Sequence, residues 1–153
     1  VTNGSIYIQM AQLTPGQLML LSLPDEKAPG GAGVELLAAS LAATLAPANA
    51  HLDMSAHAEL TCHAEGDALL PRTIRYIEER RANERRFTGA IEEHPAPLHV
   101  IWGPEDPIAV ASMAERLVAA RPDATLTWID GAGHFPQTEA PAAWLAAVEA
   151  ALT

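Results

Sequence analysis

The order of apolar and polar positions divides the 153 residues into a helical stretch followed by a strand-helix-strand-helix unit. Between residues 5 and 33 the apolar runs are cut by Pro15-Gly16, Pro24-Asp25 and Pro29-Gly30-Gly31, which predicts short turns and helices and no strand. Leu37, Leu41 and Leu45 recur at i, i+4 and i+8, so Val34 to Leu45 is predicted to be a helix with one buried stripe, stopped by Pro47. A second helix is predicted from Asp53 or Ser55, either a good N-cap, to Ala64, just ahead of Gly66. In a third, Asp67 caps, Pro71 falls in the first turns, and Leu70, Ile74 and Ile77 form an apolar face opposite Arg72, Arg75, Glu79 and Arg80. Residues 34 to 87 are therefore expected to form a helical layer.

The pattern changes after His94-Pro95-Ala96-Pro97. Leu98-His99-Val100-Ile101-Trp102 is a short β-prone run ended by Gly103-Pro104, and is predicted to be a strand. Pro107 opens a helix with Val110, Met113, Leu117 and Ala120 at buried spacing, closed by Arg121-Pro122. Thr125 to Ile129 is the next strand, Asp130-Gly131-Ala132-Gly133-His134 a glycine-rich turn, and Pro141 begins a helix that buries Trp144, Leu145 and Val148. A helical crossover of this length makes the two strands parallel and the connection right-handed. There is no internal repeat.

Composition narrows the class. A chain of 153 residues suits one domain that buries roughly 70% of its unfolded surface. It is 49% hydrophobic, yet no apolar run approaches the ~18 residues of a membrane span, which predicts a soluble chain. A formal charge of −10 argues against nucleic acid as a partner, because a phosphate backbone would be repelled. The single cysteine, Cys62, excludes an intrachain disulfide framework. Val1-Thr2-Asn3-Gly4 has neither an initiator Met nor the charged start of a signal peptide, and reads as a chain entered partway through.

In parallel α/β sheets, ligands and catalytic groups gather beyond the carboxyl ends of the strands. Asp106 lies four residues past Trp102 and His134 five past Ile129, nearly equivalent places at one edge of two strands about 4.8 Å apart. A carboxylate on one imidazole nitrogen fixes the tautomer and leaves the other nitrogen free to take a proton. Each residue also has a plainer reading: Asp before Pro is a common N-cap, and a histidine after glycine is a common polar turn residue. The matched offsets favour the pair.

Trp102-Gly103-Pro104-Glu105-Asp106-Pro107-Ile108 and Gly131-Ala132-Gly133-His134-Phe135-Pro136 resemble the acid loop and histidine loop of α/β-hydrolase-fold enzymes. The resemblance implies an α/β fold, here the C-terminal part of the sheet, with Asp106 as triad acid and His134 as general base. It further implies that residues 1–4 end a core strand, 5–90 form a helical cap (lid), and 91–153 belong to the core. Such caps cover the pocket of the esterase, epoxide hydrolase and haloalkane dehalogenase group, whose substrates are small and largely apolar.

The family's nucleophile elbow, G-x-S-x-G or a close variant, is not found among these residues, and no oxyanion loop precedes it. The chain is accordingly expected to be inactive alone and to need an N-terminal half that carries the nucleophile. Two alternatives stay open: a subunit of a split hydrolase, and a non-catalytic binding module that uses the cap groove.

Nothing points to a cofactor. Gly30-Gly31-Ala32-Gly33 lacks the preceding strand and the lysine of a phosphate loop, and reads as a linker. His51, Asp53, His57, Cys62 and His63 match no zinc spacing. The arginines from Arg72 to Arg86 alternate with Glu78, Glu79 and Glu84, as an ion-paired helix surface does.

Overall fold

The computed structural model describes all residues, 1–153. Its helices are α1 (Pro15–Ser22), α2 (Val34–Ala42), α3 (Ser55–Cys62), α4 (Leu70–Thr73), α5 (Tyr76–Ala82) and α6 (Glu84–Glu92), followed by β1 (His99–Trp102), α7 (Ala111–Ala120), β2 (Thr125–Trp128), α8 (Pro136–Glu139) and α9 (Pro141–Ala151). The strands pair in parallel from His99 opposite Thr125 to Trp102 opposite Trp128. On the other side of β1, Thr2 forms a single parallel bridge to Ile101, whose N–H donates to the Val1 carbonyl at 2.8 Å. The result is a small parallel sheet of α/β type.

Alternation along β1 sends side chains to two cores. Val100 and Trp102 pack with Ile6, Tyr7 and the Met113, Ala114 and Leu117 face of α7. Ile101 faces the other way, onto Ile129, Ala132 and Ala147 of α9. Both faces of the sheet are thus covered, as parallel sheets require. Tyr7 is fully buried; its hydroxyl donates to Glu92 at 2.8 Å and the Arg116 guanidinium lies 4.0 Å from its ring centroid. Burial, then the Glu92 carboxylate, pushes the phenol up to about 12.

The helical layer is more broken than its periodicity predicts. The third helix divides into α4, α5 and α6, preceded by a 3-10 stretch, His63–Leu69, in which Ala64 and Glu65 take φ of 51° and 61°. Gly66 follows directly, and a Cβ there would lie 2.3 Å from the Thr61 carbonyl oxygen. Ile74 and Ile77 are buried, with Ile8, but Arg75 is half-buried rather than free on the surface: its guanidinium donates to the Leu21 carbonyl at 2.9 Å and to that of Leu23. The second helix begins after Met54, with the Asp53 carboxylate accepting the Ser55 N–H at 2.8 Å, and stops at Cys62 rather than Ala64.

Asp67 does not cap the helix that follows it. Its carboxylate accepts the Gly33 N–H at 2.9 Å and so serves the N-terminus of α2, whose own N-cap offers no side chain. A Cβ on Gly31 would stand 2.1 Å from that carboxylate, which explains why the turn that wraps it is built of glycine. The cluster expected to be a linker wraps the part-exposed Asp67 carboxylate. Leu37 and Leu41 are only half-buried; Leu45, past the end of α2, is buried.

Two helix faces also differ from expectation. The helix after Asp106 starts at Ala111, not Pro107, because the Asp106 carboxylate holds the intervening turn, and Ala120 is exposed. In α9, Trp144, Ala147 and Val148 face the sheet, with Ala140 just before the helix, which rotates Leu145 outward; it is 52% exposed.

Candidate active site

The acid comes from the turn after β1. Asp106 is 3% exposed and its two oxygens have separate duties. Oδ1 accepts the N–H groups of Ile108 and Ala109, both at 2.8 Å, so the side chain folds its own turn. Oδ2 pairs with His134 Nδ1 at 2.8 Å and with Asn3 Nδ2 at 2.7 Å. Burial pushes the carboxyl up, but the His134 hydrogen bond and charge, with Asn3 and the Ile108 N–H, outweigh it and hold the group below the usual aspartate value.

The pairing reading holds on Oδ2, whereas on Oδ1 the carboxylate caps no helix and instead holds the turn that precedes α7, whose N-cap is Val110. An ionised carboxylate has no hydrogen to give, so Nδ1 carries it and the neutral ring keeps Nε2 as an acceptor. Phe135 stands edge-on to the imidazole, centroids 5.1 Å apart.

Close packing of the two loops depends on glycine. A Cβ on Gly103 would lie 2.4 Å from the Gly133 carbonyl oxygen, and one on Gly133 would lie 2.5 Å from the Ala46 nitrogen. Asn3 joins the loops from the end of the first strand segment: its Nδ2 reaches the carbonyls of Gly103 and Gly133 at 3.3 and 3.2 Å, and its Oδ1 accepts the Gly103 N–H at 2.8 Å. Sequence reasoning missed Asn3, although it too lies just beyond a strand end. Glu139, which accepts the Gly133 N–H at 2.9 Å, was missed as well.

His134 opens onto a cavity of about 240 Å³ walled by Leu20, Leu37, Leu41, Leu70, Ile108 and Phe135. The residues from His51 to His63 converge on nothing. Asp53 serves Ser55, Cys62 interacts with Asp67, and His57 leans on Phe135 with centroids 6.0 Å apart. In the arginine run, Arg75 pairs with Glu78 at 3.3 Å and Arg85 with Glu92 at 3.0 Å.

The buried Asp106 and the part-exposed His134 thus meet beyond the ends of two parallel strands, beside an apolar cavity. Residues 5–148 match the alpha/beta hydrolase family, and the chain belongs to it. Across 155 aligned residues it is 32% identical to a Mycobacterium tuberculosis protein provisionally named hydrolase LipZ, an alignment that takes in 100% of this chain and 53% of the relative. Over 83 residues, 53% of this chain, it is 32% identical to 25% of the mesoderm-specific transcript protein of Mus musculus and 31% identical to the same share of its Homo sapiens homologue. The chain spans about half the length of the mycobacterial relative. No helix is long and apolar enough to cross a membrane.

Proposed function

We propose that this chain supplies the acid and base of a hydrolase triad: Asp106 orients the imidazole and stabilises the charge it gains, and His134 Nε2 takes a proton from a nucleophile carried by an N-terminal half. Residues 5–90 act as the cap, and the substrate is small and largely apolar. The observation that carries this reading is the 2.8 Å contact between His134 Nδ1 and the buried Asp106 Oδ2, with His134 on the cavity wall.

In the step the pair serves, the nucleophile's proton passes to Nε2 as its oxygen attacks the substrate. The imidazolium then donates that proton to the leaving group, with Asp106 stabilising the ring's positive charge throughout. The leucine-rich cavity suits an apolar acyl or alkyl group. No nucleophile elbow is present in these 153 residues, so the chain by itself is inactive.

The test uses p-nitrophenyl esters of short acids. The chain alone should release nitrophenol no faster than buffer. Joined to a nucleophile-bearing half, or mixed with it, it should turn over, and His134→Ala should abolish that rate. Turnover by the chain alone that disappears with His134→Ala overturns the account.

A further inference from the structure

The histidine loop does not stand free on the sheet; it is fastened to the segment that follows α2. The His134 N–H donates to the Thr44 carbonyl at 3.1 Å. Glu139 Oε2 accepts the N–H groups of Gly133 at 2.9 Å and Ala46 at 2.8 Å and the Asn49 amide at 3.0 Å, while Oε1 accepts the Phe135 N–H at 3.0 Å. The Asn49 amide also donates to the Gly131 carbonyl at 2.8 Å. One carboxylate thus gathers donors on both sides of a seam: Gly133 and Phe135, which flank His134, and Ala46 and Asn49 across from them.

We propose that Glu139 is a positioning residue for His134, clasping the histidine loop to residues 44–49 so that the imidazole stays on Asp106. The inference rests on the reading of His134 as the base. Its physical basis is the number of bonds converging on one side chain. Four donors converge on its two oxygens, and two of the four bonds hold the residues immediately before and after the base. The fit at Gly133, where a Cβ would overlap Ala46, shows how closely the seam is drawn.

Residues 44–49 continue directly from α2, whose Leu37 and Leu41 line the cavity. A ligand that shifts α2 therefore pulls on the backbone that carries the base. Cavity occupancy and the placing of His134 are coupled through this clasp.

The experiment reads the His134 Nδ1–H proton by NMR on the chain as it stands, using 15N-labelled protein. Bonded to Asp106, that proton gives a downfield resonance slow to exchange with water. Glu139→Ala should abolish the resonance. Glu139→Gln, which keeps a carbonyl oxygen for three of the four donors, should retain it. Arg121→Ala, which removes a buried side chain bonded to the Ile91 and Ala96 carbonyls beyond the opposite end of the strands, serves as a destabilised control and should also retain it.

If the resonance persists in Glu139→Ala, the clasp does not position the base and the inference fails. If Glu139→Gln loses it as completely as Glu139→Ala, charge rather than clasping is responsible, and the inference fails equally. Should Glu139→Ala not fold, Asn49→Ala, which removes two bonds of the same seam, must weaken exchange protection at His134 while Arg121→Ala does not. Absence of the resonance from the unsubstituted chain would refute the Asp106–His134 pairing itself, a different failure from either of these.

Discussion

Replacing Asp106 should damage the fold before any question of catalysis arises. In Asp106→Ala four donors lose their acceptor: the buried N–H groups of Ile108 and Ala109, Asn3 Nδ2 and His134 Nδ1. Each buried donor left unsatisfied costs about 1–3 kcal/mol. Asn3 and His134 are part-exposed and recover water, so the two backbone groups dominate, and the total should be about 4 kcal/mol. Asp106→Asn keeps one carbonyl oxygen for both backbone groups and should cost about 1–2 kcal/mol. It also presents an amide to His134, which forces Nδ1 to accept and moves the ring hydrogen to Nε2, so that Nε2 no longer accepts.

Urea unfolding followed by tryptophan fluorescence measures the difference, since Trp102 is fully buried and its indole N–H donates to the Ala109 carbonyl at 2.9 Å, inside the same turn. With a urea slope of about 2 kcal/mol per molar, Asp106→Ala should lower the midpoint by about 2 M and Asp106→Asn by about 0.5–1 M. A midpoint for Asp106→Ala within about 0.5 M of the unsubstituted chain would refute the assigned bonds. Equal losses in the two variants would show that Oδ1 does not hold the turn.

Acid should act through the same group: because the folded-state value of Asp106 lies below its unfolded one, its stabilisation is present above about 3.8 and is lost as pH falls through the folded value, so Asp106→Asn should flatten the acid limb of stability against pH. Tyr7 gives the opposite sign. Its folded value is raised to about 12, so stability it contributes is complete below 10 and lost between 10 and about 12, a limb that alkaline urea titrations should find reduced in Tyr7→Phe. Gly133→Ala should lower Tm by about 5 °C by forcing the histidine loop off Ala46. In Gly4→Ala, where the nearest atom is the Thr2 carbonyl oxygen at 3.6 Å, thermal unfolding should move by no more than about 1 °C.

The pairing of Asp106 with His134 was legible because both follow the same rule, a residue four or five places beyond a strand end, and the rule needs only strand boundaries. Asn3 also lies past a strand, one residue after Thr2, but that strand contributes a single bridge, too short for any alternation to announce. Glu139 follows no such rule. Its partners are N–H groups of Ala46, Gly133 and Phe135, and backbone donors have no identity in a sequence.

The strand-helix-strand-helix order was readable because apolar spacing there answers to one sheet. The region from Ala64 to Asn83 was not, because its kinks depend on alanine and glutamate in left-handed conformation and on Arg75 turning inward to distant carbonyls. Those are choices made by tertiary contacts against local preference. Asp67 shows the same thing in reverse: a competent cap by type, serving the end of a helix that precedes it by more than two dozen residues.

That distant service ties a knot in the chain's geography. Besides the Gly33–Asp67 bond, the Ala28 N–H donates to the Ala68 carbonyl at 2.8 Å, so the chain leaves and re-enters the body of the protein at one point. Residues 28–68 form a cassette with joined ends, and closing such a loop costs only slowly more as it lengthens. A different wall for the cavity can be installed by exchanging that cassette whole, provided the replacement keeps the stretch corresponding to Thr44–Asn49 in register with the histidine loop.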